Sequence, residues 1–250
     1  MKTILVTNRK GGVGKTTTSV NLASWLGLIG KSVLLIDMDT QSHVQYGLGF
    51  KDSFKEGIHT ALKENRDLNS FIHESEIENV FIIPADINFP INTLKEDYMQ
   101  LSRLIKKSKI KDTFDICIID TPPTSDILLS NALAISEYAI VPVKTDFLGL
   151  LGVTQFLKLF YATSSRVNPK LEILGILPTM FNKSIKEHKE MIKFLEDKIG
   201  KKRVLAPIRN DIKLSTSFLE GKPVSYFDKR TRGSKDYKDL SLYVLKNIYS

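Results

Sequence analysis

The stretch Asn8–Thr18 reads NRKGGVGKTTT, and it decides the fold. Gly14-Lys15-Thr16 closes the phosphate-loop pattern G-x-x-x-x-G-K-[ST], whose first glycine falls at position 9. Arg9 stands there instead, with Lys10 behind it. Gly11, Gly12 and Gly14 free the backbone so that successive N–H groups turn inward on an anion. The helix that follows adds its positive end. Lys15 then reaches the β- and γ-phosphates, and the Thr16 hydroxyl ligates Mg²⁺. Val13 and Thr17 belong to the same nucleotide-contacting run.

Working outward, apolar runs of strand length alternate with helical patterns. Strands are predicted at Thr3–Thr7, Ser32–Met38, Val80–Pro84, Phe114–Asp120, Tyr138–Val143, Leu171–Pro178 and Val204–Pro207. Helices are predicted at Lys15–Ile29, Thr93–Lys107, Ser125–Ser136, Leu150–Arg166, Lys186–Ile199 and Ser234–Tyr249, with Gly30 as the C′ cap of the first. Continuous Val/Ile/Leu strands imply a sheet covered on both faces. The pattern predicts one α/β domain over residues 1–250, a doubly wound, mostly parallel sheet of the phosphate-loop NTPase type.

Ligands of such sheets bind beyond the carboxyl ends of the strands. Those ends carry the glycine loop, "DMDTQS" and "DTPPTSD". Asp37 and Asp39, two apart, are expected on one strand face. One can serve the Mg²⁺ shell while the other orients a water against the γ-phosphate. Asp120 follows four apolar residues, the arrangement in which a carboxylate holds the metal through water.

The 250 residues, 42% hydrophobic, suffice for one large core. Cys117 is the single cysteine, so there is no internal disulfide and no Cys/His metal cluster, and a reducing compartment fits. The N-terminal apolar run is too short for a signal segment, and no run is long enough for a membrane span. The formal net charge is +8. Between Lys183 and Lys235 stand 15 Lys+Arg against 7 Asp+Glu, a surplus that equals the whole net charge. That stretch is either a solvated lysine-rich face or a surface for a polyanion.

Together "KGGVGKTTT", "LLIDMDTQS", "IIDTPPT", "PTMFN" and "EGKPV" resemble the ParA/Soj partition ATPases, in the deviant-Walker-A class that also holds MinD. The resemblance covers nearly the whole chain. It implies that Lys10 crosses a homodimer interface to the phosphates of the partner's ATP. It also implies catalytic roles for Lys10, Lys15 and Asp39, and metal roles for Thr16, Asp37 and Asp120. Asn182 and Pro207 match the region that frames the adenine. Thr40 stands where the family usually has proline, and Asn182 where it often has Asp.

What the resemblance implies about function is an ATP-driven, Mg²⁺-dependent positioning cycle. The ATP-bound sandwich dimer binds nucleoid DNA without sequence preference, and a ParB-like or adaptor protein stimulates hydrolysis and release. Lys201, Lys202, Arg203, Lys213, Lys222, Lys229, Arg230 and Arg232 fit the DNA contacts, through salt-dependent neutralisation of phosphates. Localisation is then cytoplasmic and nucleoid-associated. The glycine loop begins close to Met1, so an N-terminal helix-turn-helix extension is not expected. A MinD-like membrane switch is the alternative. The stripe Tyr237, Leu240, Val244 and Ile248 is read instead as packing on the domain. An iron protein of the nitrogenase kind needs interface cysteines that this chain lacks, and no motif marks the substrate pocket of a dethiobiotin-synthetase-like ligase.

Overall fold

The protein is described here by a computed structural model that covers residues 1–123 and 126–250. Among the described residues, seven strands form one sheet: β1 (Lys2–Val6), β2 (Val33–Asp37), β3 (His73–Glu74), β4 (Val80–Ile83), β5 (Ile116–Asp120), β6 (Tyr138–Lys144) and β7 (Glu172–Thr179). Their order is β3-β4-β2-β5-β1-β6-β7. All pairings are parallel except β3 with β4.

The helices are α1 (Lys15–Leu28), α2 (His43–Gly47), α3 (Ile58–Glu64), α4 (Gln100–Lys107), α5 (Asp126–Ile135), α6 (Phe147–Val167), α7 (Lys186–Ile199), α8 (Ile212–Leu219), α9 (Val224–Phe227) and α10 (Arg232–Ile248). The doubly wound expectation holds.

Successive side chains of each strand leave the sheet on opposite sides. Ile4, Val6, Val33, Leu35, Ile116 and Ile118 therefore join one buried cluster, with α1 and α10. Leu5, Leu34, Ile36, Cys117 and Ile119 join the other, with α3 to α7. Each fully buried Leu or Ile contributes roughly 1.5–3 kcal/mol. Parity also fixes the site, since Asp37 and Asp120 continue the series Leu35 and Ile118 and so face α1.

The C-terminal stripe packs inward. Tyr237, Leu240, Val244 and Ile248 are all buried, and Tyr237 Oη lies 3.2 Å from Thr18 Oγ1 on α1. Gly30 ends α1 as its pattern predicts, with φ 88°. Its N–H donates to the Gly27 carbonyl, and Lys31 N–H reaches the Leu26 carbonyl.

Four expectations need correction. Val204–Pro207 makes a single bridge, Ile176 to Val204, and is no strand. Leu205 and Ile208 N–H groups still donate to β7 carbonyls, but Pro207 has no N–H and the ladder stops. The helix expected from Thr93 begins at Gln100, because the Asp97 carboxylate accepts the Met99 N–H and holds a turn there. The helix expected from Leu150 begins at Phe147. Finally, β2 ends at Asp37, so Asp39 lies in the following turn rather than on the same strand face. The start of the helix expected at Ser125 lies outside the described residues; α5 runs from Asp126.

Candidate nucleotide site

The loop after β1 turns through left-handed backbone at Gly12 (φ 70°) and Gly14 (φ 86°), where any side chain is strained. Two residues outside the motif pin it. Asn8 Oδ1 accepts the Lys10 N–H at 3.0 Å, while Asn8 Nδ2 donates to the Pro142 carbonyl of β6. On the other side Thr179 Oγ1, at the end of β7, donates to the Val13 carbonyl at 2.9 Å. Sequence reading assigned neither a role, because their partners, the Pro142 and Val13 carbonyls, are 134 and 166 residues away along the chain.

Lys15 is 7% exposed, and its Nζ donates to the Lys10 carbonyl at 3.2 Å. Burial pulls its pKa down, while the Asp120 and Asp39 charges pull it up. The ammonium is thus held inside the loop before any phosphate arrives. Lys10 behaves differently. Its side chain is 33% exposed and its Nζ lies 3.4 Å from Asp146 Oδ1, just past β6. Lys144 Nζ approaches the other oxygen of Asp146 at 3.1 Å.

Asp120 is 1% exposed and accepts Thr16 Oγ1–H at 2.7 Å and Ser19 Oγ–H at 2.9 Å. Burial pushes its carboxyl up to about 6, with the Asp39 charge adding to the rise; Thr16, Ser19 and Lys15 oppose it. Asp37 is fully buried and is also pushed well up, by burial first and then by the Asp120 charge. Its oxygens accept the Asp39 and Val44 N–H groups, at 2.9 and 3.3 Å. Asp37 therefore shapes the turn that carries Asp39. Asp39 is half-buried, and its Oδ1 accepts the Gln41 N–H at 3.1 Å.

Two acids buried side by side with a hydroxyl are an oxygen donor set suited to a hard divalent cation. Their raised pKa values show how poorly the protein alone supports both charges. Among the described residues no group of three or more His, Cys, Asp or Glu could hold a metal. A magnesium site needs no such group, because one or two carboxylates plus phosphate oxygens and water suffice. The residues fit Mg²⁺ with nucleotide, through Thr16, Asp120 and Asp37.

Beside the loop lies a cavity of about 530 Å³, lined by Gly14, Thr17, Thr179, Met180, Arg209 and Asn210 among others. Asn182 and Pro207 do not line it. Asn182 Oδ1 accepts the Ser184 N–H at 3.0 Å, which makes it a turn-holding residue. Met180 and Asn210 were missed by sequence reading. The only signal for Met180 was its place inside "PTMFN".

All eight basic residues assigned to DNA are exposed. They belong to two sets of elements. Lys201–Arg203 form a short turn after α7, beside Gly175 of β7. Gly175 is four residues before Thr179, roughly 13 Å from the strand end that faces the loop. Lys213, Lys222, Lys229, Arg230 and Arg232 surround α8, α9 and the start of α10. Arg230 and Arg232 lie near Asp228 and Asp211, at 3.6 and 4.0 Å. Among the described residues no helix is long and apolar enough to cross a membrane.

The AAA domain family matches residues 1–173. The sporulation initiation inhibitor protein Soj of Bacillus subtilis (strain 168) is 35% identical, over 98% of this chain and 99% of its own length. The chain belongs to the ParA/Soj family of partition ATPases. The chromosome-partitioning ATPase Soj of Treponema pallidum (strain Nichols) is 33% identical, covering 96% of this chain and 95% of its own. Fold alone would not have separated this family from metabolic enzymes. Cobyrinic acid a,c-diamide synthase from Mycobacterium smegmatis, with bound ATP analog and magnesium, superposes with a TM-score of 0.83 at 26% identity, over 100% of this chain and 96% of that one. The family membership makes this chain a phosphate-loop ATPase of the partition and positioning type, and nucleotide and magnesium binding go with the family.

Proposed function

We propose that this ParA/Soj-family chain is an ATP-driven positioning switch. ATP and Mg²⁺ bring two copies together face to face, the dimer coats DNA without sequence preference, and a ParB-like or adaptor protein triggers hydrolysis and release. The observation that carries the reading is the division of labour between two lysines. Lys15 Nζ is turned into its own loop, onto the Lys10 carbonyl, while Lys10 Nζ is turned out of it, toward Asp146. Lys15 serves the chain's own nucleotide. Lys10 is left to meet phosphates brought by a second copy.

The reaction needs little covalent help from the protein. Positioning and charge stabilisation supply most of the rate in phosphoryl transfer. Lys15, and Lys10 from the second copy, offset charge on the phosphate oxygens. Mg²⁺, when bound, supplies further neutralisation of those oxygens. Asp39 orients the attacking water, and Thr16, Asp37 and Asp120 hold the metal side of the site. The basic surface neutralises DNA phosphates, so affinity falls steeply with salt.

The test is size-exclusion chromatography with light scattering, with ATP and with ADP, on wild type and Lys10→Ala, both assayed for ATP binding. Wild type is expected to dimerise with ATP only. Lys10→Ala is expected to bind ATP within a few-fold and stay monomeric. An ATP-dependent dimer of Lys10→Ala rejects the assignment.

A further inference from the structure

Beneath the Asp39 turn lies a buried histidine that no phosphate-loop motif contains. His59, the second residue of α3, is 0% exposed. Its Nε2 lies 3.2 Å from the Met38 carbonyl oxygen. Its Nδ1 accepts the Asp86 N–H at 3.1 Å. Asp86 Oδ2 also lies 3.4 Å from Nδ1. The backbone N–H is nearer and can only donate, so it takes the Nδ1 lone pair and leaves the ring proton on Nε2. Phe89 stacks on the ring at 5.3 Å with planes 22° apart.

The ring is held from every side. The Asp86 carboxylate accepts the N–H groups of His59 and Thr60 and the Thr60 hydroxyl. Ile58 N–H donates to the Pro84 carbonyl, and a Cβ at Gly57 would overlap that same oxygen, so α3 starts hard against the loop after β4. Two more bonds stitch that loop to the Asp39 turn. Ser42 Oγ–H donates to the Ala85 carbonyl and Asn88 N–H to the Thr40 carbonyl. Met38 is therefore fixed at both polar groups of its backbone. Its N–H donates to the Asp120 carbonyl, and its carbonyl accepts from His59. That carbonyl belongs to the peptide plane that ends at the nitrogen of Asp39. Turning the plane, and the carboxylate with it, breaks a buried hydrogen bond.

We infer that His59, backed by Asp86, is a positioning residue for hydrolysis: it fixes the Met38–Asp39 peptide so that Asp39 is aimed at the attacking water. The inference rests on the water-orienting role proposed for Asp39. His59 touches no reacting atom, so its loss acts on turnover and spares nucleotide affinity.

The experiment compares wild type, His59→Phe, His59→Gln, Asp39→Ala and Asp39→Ala/His59→Phe. Each is measured for binding of a fluorescent ATP analogue, for single-turnover hydrolysis, and for melting temperature. His59→Phe keeps the stacked ring and removes both hydrogen bonds. It is expected to bind nucleotide within about twofold and to hydrolyse at least tenfold more slowly. His59→Gln keeps a donor within reach of Met38 and is expected to recover most of that loss. In the Asp39→Ala background, His59→Phe is expected to change the residual rate by less than twofold. Wild-type turnover by a folded His59→Phe overturns the inference. So does an equal tenfold loss in both backgrounds, which makes His59 independent of Asp39. Should His59→Phe not fold, His59→Gln decides: a normal melting temperature with a tenfold slower rate overturns it, and a near-normal rate supports it. Normal turnover by Asp39→Ala fails at the earlier step, removing the role of Asp39 itself and the inference with it.

Discussion

Asp37 and Asp120 are register partners at the carboxyl ends of the adjacent parallel strands β2 and β5. Neighbouring strands stand about 4.8 Å apart and in-register partners point to the same face. Two fully buried carboxyl groups are thereby forced together in front of α1. Burial and neighbouring carboxylate charge push both carboxyls upward, so a divalent cation beside them would offset the cost of ionising both.

The contribution of Asp120 to stability without nucleotide is expected to fall as pH rises from about 4 to 6. The sign follows from Asp120. Its folded pKa is raised to about 6 from an ordinary 3.8, so the native state keeps a proton that the unfolded state has lost. Stability drops with pH wherever the native state binds more protons. Asp120→Asn removes the charge and is expected to stabilise the nucleotide-free protein by roughly 1–3 kcal/mol at pH 7.5. Thermal melts across pH 4.5 to 7.5 check this; a wild type more stable than the variant at pH 7.5 refutes it.

Magnesium-dependent nucleotide binding is expected to weaken as pH falls through about 6. The cation must compete with protons for Asp120 and for Asp37, which burial also pushes upward. Calorimetry of ADP binding with and without Mg²⁺ at pH 5.5 and 7.5 gives the difference. Asp120→Asn is expected to lose most of the magnesium increment.

Gly27→Ala is expected to destabilise the fold by about 1–3 kcal/mol, an overpacking cost. A Cβ there would overlap the Glu78 carbonyl oxygen, and backbone cannot move aside as a side-chain tip can. Gly11, whose Cβ would meet nothing within 4 Å, is the control for volume alone. Chemical denaturation of both alanine variants decides, and a neutral Gly27→Ala contradicts the packing argument.

If the DNA-binding reading holds, two alanine sets separate the basic surfaces. Lys213, Lys222, Lys229, Arg230 and Arg232 lie in or next to α8, α9 and the start of α10, and removing three of them is expected to lower the salt slope by roughly three. Removing Lys201, Lys202 and Arg203, displaced along β7, is expected to change it by less than one. Filter binding to non-specific duplex across a salt series measures both; the reverse order moves the interface to the turn after α7.

The sequence by itself determined the sheet and its functional edge. Six strands and the long helices α1, α6, α7 and α10 could be read, the strands because continuous apolar runs leave a parallel strand no other place than between two helical layers. The glycine loop, Lys15, Thr16 and Asp120 were legible because local backbone and side-chain chemistry define them within a few residues. Gly30 was legible for the same reason. Short elements such as α2, α3, α8 and α9 escaped, because four to eight residues hold too few turns to show a period.

Tertiary structure alone decided which atoms face which. The strand register, and not the spacing of two in "DMD", brings Asp37 to Asp120 and leaves Asp39 in a turn. The direction of Lys10 depends on Asp146, 136 residues away. His59 reaches Met38 only because the loop after β4 folds under the loop after β2. Each is a contact between elements that only the assembled sheet brings together. Local sequence carries propensity, whereas such contacts are set by the order and register of the sheet.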